Sequence, residues 1–219
     1  MTAMELLLWA RGPGLVIAAA IFLFGMTLRL SEIYSLGRKR DLSVPRSPTP
    51  GSGWRTIVTR SLPHADTWRR STLTIAAGFV FHVGLFIVLL FLLPHIELIR
   101  ALTGLSWPAL PTPLIDLATV ITLIALVITL VHRLMDPVKR FLSGFGDYLA
   151  WTVTFLPLLT GYVAYHHLLL DYTLLLALHI LSAELLLVVF PFTKLTHTFT
   201  LFIARWYNGD IAARKGVAS

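Results

Sequence analysis

Two histidines frame the last apolar stretch of the chain, in which residues 179–197 read HILSAELLLVVFPFTKLTH. His197 follows His179 by eighteen residues, which is five turns of an ideal α-helix and about 27 Å along its axis. Both rings would therefore point from one face of such a helix, one near each end. An earlier apolar stretch carries a second pair, His82 and His95. How the two pairs are arranged depends on whether these stretches cross a membrane.

The composition places the chain in a lipid bilayer. Of its 219 residues, 56% are hydrophobic and only 13% are charged, whereas soluble domains carry about 25% charged residues. The net charge of +7 does not indicate a nucleic-acid partner, because the basic residues lie between apolar stretches and not in one basic domain. The chain has no cysteine, which excludes disulfides, c-type haem attachment and cysteine-ligated iron–sulfur or zinc sites within it.

Five apolar runs approach the roughly 20 residues that a membrane-spanning helix needs. They cover residues 12–31, 73–95, 114–134, 147–166 and 171–192. A signal peptide is the alternative for the first run, but its basic residues follow it and no clear cleavage site is present, so we interpret it as a retained helix. Because a backbone within lipid must satisfy its own hydrogen bonds, the predicted fold is an all-α integral membrane protein with five transmembrane helices.

The basic residues predict the orientation of these spans. Apart from Arg29 at the end of the first run, all but two fall in alternate connections or in the tail. They are Arg38, Lys39, Arg40, Arg46, Arg55, Arg60, Arg69, Arg70, Arg133, Lys139, Arg140, Lys194, Arg205, Arg214 and Lys215. Only Arg11 and Arg100 fall on the other side. The positive-inside rule then puts the N-terminus outside and the C-terminus in the cytoplasm.

This orientation divides the chain into four parts. Residues 1–31 form the first transmembrane helix, 32–72 a basic cytoplasmic loop, 73–198 a four-helix core and 199–219 a cytoplasmic tail. No internal repeat is evident, which argues against a transporter. No H-E-x-x-H motif is present, which argues against a metalloprotease.

The four histidines now fall at mirrored depths, with His82 and His197 toward the cytoplasm and His95 and His179 toward the outside. Two neutral imidazoles can bind one iron from opposite sides while their other ring nitrogens are hydrogen-bonded. The pairs therefore predict a core that holds two b haems, or one if only the inner pair serves. The alternative is that each histidine is a polar bridge between helices. The second span fits less well, because thirteen residues advance about 20 Å and about 220° beyond whole turns.

Four carboxyl groups are candidates for a proton relay. They are Glu97, Asp116, Asp171 and Glu184. The alternative for the first three is that they are ordinary interfacial residues. The alternative for Glu184 is that it forms a hydrogen bond between packed helices. The remaining histidines, His64, His132, His166 and His167, are predicted to lie in loops or at the membrane boundary.

The chain resembles the membrane cytochrome b, or gamma, subunit of respiratory nitrate reductase. The resemblance is carried by FHVGLF at 81–86, by RLMDPVKRFLSGFGDYLA at 133–150 and by the 179–197 stretch with its FPFTKLTH ending, and it covers nearly the whole chain. In nitrate reductase the second ligand of the second span follows the first by ten residues, which is Leu92 here. With His95 in that place, the chain is more similar to the branch found in sulfite-reductase-linked and heterodisulfide-reductase-type complexes.

The resemblance implies a haem b subunit of a respiratory complex in the prokaryotic cytoplasmic membrane. Such a subunit oxidises quinol, or reduces quinone or menaquinone, and exchanges the electrons with a cytoplasmic iron–sulfur subunit of the CCG-domain or molybdoenzyme-linked type. The four carboxyl groups named above are then also candidates for its quinone site. The inner haem would be bound by His82 and His197 and the outer haem by His95 and His179. From the sequence itself, the 32–72 loop and the tail from Phe199 are the expected docking surface for a partner, and the alternative is that they are a topology signal and a disordered linker. The competing hypothesis is a haem-free membrane anchor for a soluble redox enzyme.

Overall fold

The computed structural model describes residues 1–37, 44 and 52–217, and every element within them is a helix. Arg38, Lys39, Arg40 and Arg46 of the basic loop lie outside the described residues. The α-helices are α1 Ala3–Trp9, α2 Leu15–Ser35, α3 Ser52–Thr59, α4 Ala65–Phe91, α5 Leu93–Thr103, α6 Thr112–Met135, α7 Pro137–Leu142, α8 Phe145–Tyr165, α9 Tyr172–Val189 and α10 His197–Arg214. A π-helical turn, Ala10–Gly14, joins α1 and α2 into one continuous first helix.

Among the described residues, four helices are long and apolar enough to cross a membrane. They are Ala3–Ser35, Ala65–Phe91, Thr112–Met135 and Tyr172–Phe192, so the chain is an all-α, multi-pass membrane protein. The other predicted span, 147–166, coincides with α8, which has 21 residues and is about 31 Å long. Its crossing of the membrane, and with it the count of five spans, stays a prediction.

The long helices pack on one another in a row, in the order α4, α6, α8, α9 and the first helix. Helix α4 packs on α6, α6 on α8, and α8 on α9, while the first helix covers another side of α9. The buried core of this row comprises Val88, Ile115, Leu126 and Leu158. Helices α4 and α9 do not pack closely on each other along their described lengths.

The second predicted span is not one helix, and the break has a clear chemical cause. Pro94 has no N–H to donate to the carbonyl oxygen of Leu90, and Leu92 is extended (φ −76°, ψ 126°). The indole Nε1 of Trp107 donates to the Leu90 oxygen instead (2.7 Å), and the Leu110 N–H donates to the Phe91 oxygen (3.1 Å). The loop between α5 and α6 thus satisfies the carbonyl groups that the break leaves free.

The end of the last span is also broken, so His179 and His197 do not share the predicted continuous helix. Two 3-10 turns, Phe190–Phe192 and Lys194–Thr196, follow α9, and Thr193 between them is extended (φ −125°, ψ 179°). Pro191 within the first turn explains why the helix stops there, since it cannot continue the hydrogen-bond ladder. His197 is the first residue of α10.

Ion pairs and helix caps join the end of α6, the start of α8 and the turn after α9. The carboxylate of Asp147, in the first turn of α8, accepts a bond from Lys194 Nζ (2.7 Å) and lies 3.6 Å from Arg133 Nη1. Asp136 caps α7 by accepting from the backbone N–H groups of Val138 and Lys139. The Lys139 N–H bond, first among several contacts, lowers the pKa of the Asp136 carboxyl.

Candidate functional site

The structure brings His95 and His179 together near one end of the helix row. His95 lies at the start of α5, just beyond the break, and His179 lies in the middle of α9. Their ring centres are 6.1 Å apart and the ring planes differ by 20°. Both side chains are partly buried. The break at Leu92 removes the angular mismatch of a continuous helix, because His95 belongs to a new helix with its own direction.

His82 and His197 form a second pair toward the other end. His82 lies in α4 and His197 begins α10. Their ring centres are 6.0 Å apart, and the ring planes are nearly perpendicular at 88°. Both side chains are exposed. The pairing thus joins the same residues that the depth argument joined, while their role as haem ligands stays a prediction.

All four rings use the same nitrogen to bond the backbone. His82 Nδ1 lies 2.7 Å from the Gly78 oxygen, and His197 Nδ1 lies 2.8 Å from the Lys194 oxygen. His95 Nδ1 lies 3.1 Å from the Val88 oxygen, and His179 Nδ1 lies 3.1 Å from the Pro157 oxygen. A carbonyl oxygen only accepts, so each Nδ1 carries the hydrogen and donates. In a neutral ring Nε2 is then an unprotonated lone pair, and none of the four Nε2 atoms has a hydrogen-bond partner among the described residues.

This donor set fits axial haem ligation. Two imidazoles that bind one metal from opposite sides at about 2 Å each have ring centres about 6 Å apart, which matches both pairs. Metal-binding histidines usually donate their other nitrogen to a carbonyl or carboxylate, which fixes tautomer and orientation. No group of three or more His, Asp or Glu side chains gathers around one point in the described part of the chain. Two ligands per site suit a metal whose other ligands come from a porphyrin.

Helix α8 is shaped to receive the ring of His179. A Cβ on Gly161 would lie 2.9 Å from His179 Cε1, so a larger residue there would displace the ring. The Thr160 hydroxyl lies 3.5 Å from His179 Nδ1 and 2.9 Å from the Ser182 hydroxyl. The sequence analysis missed Gly161 and Thr160, although Gly161 is a helix-interior glycine and such a residue indicates a close approach.

The other histidines are bonded differently. His166 uses Nε2, the nitrogen that a ligand would need, to contact Asp116 Oδ1 at 3.2 Å. Its ring also lies 4.5 Å from that of Tyr162. The contact with Asp116 connects the end of α8 to α6. The His167 ring stacks on Tyr172.

The four candidate carboxyl groups have separate surroundings. Glu97 lies 3.6 Å from exposed Arg100, and Asp116 contacts His166. Asp171 caps α9 by accepting from the Thr173 N–H at 3.0 Å. Only Glu184 is buried, and its Oε1 has no hydrogen-bond partner among the described residues. The structure thus provides ordinary local roles for three of the four and none for Glu184.

The loop and tail that were expected to dock a partner form a helical unit where the structure describes them. Helix α3 packs against α10, and a Cβ on Gly53 would lie 2.8 Å from the Trp206 oxygen. Arg205 Nη1 donates to Ser61 Oγ at 2.8 Å. Trp54 and Phe202 on this unit are 71% and 50% exposed.

Comparison with known proteins adds a relative. Over 154 residues the chain is 36% identical to a curated protein of Nitratidesulfovibrio vulgaris (strain Hildenborough), an alignment that covers 70% of this chain and 68% of the relative. The chain belongs to the family of that protein. The relative's printed name is simply "Protein", so family membership brings no activity with it. No model of a known protein family matches the chain, and no solved structure matches it.

Proposed function

We propose that the protein is the haem b membrane subunit of a respiratory complex, which transfers electrons between quinone and a cytoplasmic iron–sulfur partner. The observation that carries the proposal is the shared bonding of four histidines, each with Nδ1 donating to a carbonyl and Nε2 free, in two pairs with ring centres 6.0 and 6.1 Å apart. The bond from His179 to Pro157 is itself a polar bridge between helices, but it uses Nδ1 and leaves Nε2 available to bind a metal.

In this proposal His82 and His197 hold an inner haem and His95 and His179 an outer one. A bound haem supplies one-electron chemistry, and the chain sets its position, ligation and surroundings. The carbonyl groups of Gly78, Val88, Pro157 and Lys194 keep each Nε2 unprotonated and directed. The partly buried outer pair lies in a drier setting than the exposed inner pair, and burial and dielectric are the means by which a protein tunes a haem potential.

The proposed setting is the cytoplasmic membrane of a prokaryote, with five spans, the N-terminus outside and the C-terminus inside. The haem-binding core is then the four helices after the first, and the inner pair faces the cytoplasm. The α3–α10 unit supplies a surface next to His197, with apolar Trp54 and Phe202 and basic Arg55 and Arg60. An acidic face of an iron–sulfur subunit complements such a surface.

The test is the dithionite-reduced minus oxidised spectrum of the purified full chain, with a haem count by pyridine haemochrome. We expect two b haems per chain, and one in either His95→Ala or His82→Ala. His64→Ala is the matched control, since His64 makes no side-chain capping bond at the start of α4, and it should retain both. If the wild type instead has one haem and His95→Ala retains it, only the inner pair binds haem. Well-assembled protein with no haem would instead support a haem-free anchor.

A further inference from the structure

Glu184 is a buried carboxyl group in the interior of the last span, and it is left without a partner. Its residue surface is 6% exposed, and Oε1 has no hydrogen-bond partner among the described residues. Nor does any ion pair of its side chain occur there. The sequence left open that Glu184 forms a hydrogen bond between packed helices, and the described residues show no such bond. A buried polar group without a partner needs an explanation.

The first helix forms the other wall of this site. Glu184 lies about 140° around the α9 axis from His179, so the two side chains leave the helix on different sides. Both carboxylate oxygens lie 3.0 Å from the point where a Cβ of Gly14 would be, and the Trp9 ring lies 2.7 Å from that point. Glycine at position 14 therefore makes room for the carboxyl group.

The backbone of that wall is a π-turn. Ala10–Gly14 is wound as a π-helix with Pro13 inside it, and the Leu15 N–H bonds back to the Ala10 oxygen. Turns of this kind widen the helix by one residue, and they are frequent at functional sites. The widened turn and the unpartnered carboxyl group are independent features that meet at one place.

No ionised partner faces Glu184 from the elements packed around it. On the first helix, Glu5 bonds its own helix start, Arg11 is exposed, and Arg29 pairs with Glu32. On α8, Asp147 is held by Lys194 at the inner end, while Tyr162 and Tyr165 lie near the outer end against His166. On α9 itself, His179 turns toward Pro157. An ionised carboxylate without a partner at this depth is costly, and the acid form removes that cost.

We propose that Glu184 and the π-turn Ala10–Gly14 form a proton-binding site inside the membrane part of the protein. The Glu184 carboxylate binds one proton and becomes the carboxylic acid. The acid releases that proton to water and becomes the carboxylate again. Along α9 the site lies about 18 Å from the start of the span at Tyr172 and about 12 Å from its end at Phe192. The proposal rests on these contacts alone and does not require that the histidines bind haem.

The test uses infrared difference spectroscopy on full-length protein in lipid nanodiscs, with and without 13C-glutamate. The chain has glutamates at positions 5, 32, 97 and 184, and Glu5, Glu32 and Glu97 are exposed. A carboxylic-acid band that shifts with the isotope comes from a glutamate, and its loss in Glu184→Gln assigns it to Glu184. We expect this band in the wild type, its complete loss in Glu184→Gln, and its retention in Glu97→Gln.

Two titrations of the wild type complete the test and do not depend on how a variant folds. Raising the pH should remove the band, and transfer to D2O should shift it to the frequency of a deuterated acid. Absence of the band at neutral pH, or its persistence in Glu184→Gln, would overturn the proposal. A band that never responds to pH or to D2O would show a sealed structural group and would overturn it equally. A missing haem would defeat the proposed function and leave this result unchanged.

Discussion

At the scale of single residues, the sequence predicted which histidines meet but not how their ring nitrogens are hydrogen-bonded. Pairing followed from depth alone, since His82 with His197 and His95 with His179 are the residues that fall at matched levels of two spans. The uniform bonding of Nδ1 could not be predicted, because the acceptor of His95 lies across a helix break and that of His179 lies on another helix. For His179 the acceptor is Pro157 on another helix, and no spacing in the sequence indicates it.

Substitution of Gly161 by alanine should disturb only the outer pair. The new methyl group would lie 2.9 Å from His179 Cε1, so the ring must move and its bond to the Pro157 oxygen must lengthen. We expect the haem count to fall from two toward one, with the inner haem retained. Gly146→Ala is the control on the same helix, because nothing lies within 4 Å of its added methyl group. An unchanged outer haem in Gly161→Ala would show that the ring is not confined by α8.

At the scale of elements, the helices were predicted well and their interruptions were not. Apolar runs locate α4, α6 and α9, because membrane helices are defined by composition and length. Helix breaks at Leu92 and at residues 190–196 depend on which groups replace the lost hydrogen bonds. At the first break those groups come from Trp107 and Leu110, more than a dozen residues away. A continuous helix over the thirteen residues from His82 to His95 therefore predicted the wrong relative direction of the two rings, because the chain breaks at Leu92.

Restoring the helix at the first break should misdirect His95. Pro94→Ala would supply the N–H that the Leu90 oxygen lacks, and a continuous helix would turn His95 about 220° from His82 beyond whole turns. We expect loss of the outer haem and retention of the inner haem in the visible spectrum. Trp107→Phe, which removes the present donor to Leu90 and leaves Pro94 in place, should weaken the loop between α5 and α6 without rotating His95. Two intact haems in Pro94→Ala would mean that the break persists without proline.

The close packing of α4 on α6 depends on Gly84. A Cβ at this position would overlap Thr122 Oγ1, whose residue is fully buried and bonded to the Ala118 oxygen. Gly84→Ala should therefore destabilise the protein by about 1–3 kcal/mol, as overpacking of a core does. Gly78→Ala on the same helix has open space and should be neutral or stabilising by about 0.5–1 kcal/mol. Thermal unfolding in detergent compares the two variants, and equal midpoints would contradict the packing argument.

At the scale of the whole molecule, the helix row brings together rings from elements that are far apart in the sequence. Helices α6 and α8 connect α4 to α9, the first helix supports α9 on another side, and each ring pair joins a histidine of α4 or α5 to one of α9 or α10. The sequence predicted the core helices and their histidines because each is encoded locally. The row itself follows from contacts such as Gly84 with Thr122, which only the folded chain brings together.

The orientation of this row in the membrane is open to a direct measurement, because the chain has no cysteine and single cysteines can be placed at will. Leu105, Val138, Leu170 and Val217 are all exposed and lie in successive connections or in the tail. If α8 crosses the membrane and the N-terminus is outside, Leu105→Cys and Leu170→Cys will react with an impermeant maleimide on intact cells. Val138→Cys and Val217→Cys will then react only after lysis. If α8 does not cross, positions 138 and 170 will react on the same side and position 217 on the opposite one. That pattern would put His197 and the tail on the side opposite the cytoplasmic partner, so the assay decides both the number of spans and the direction in which the proposed electron path can run.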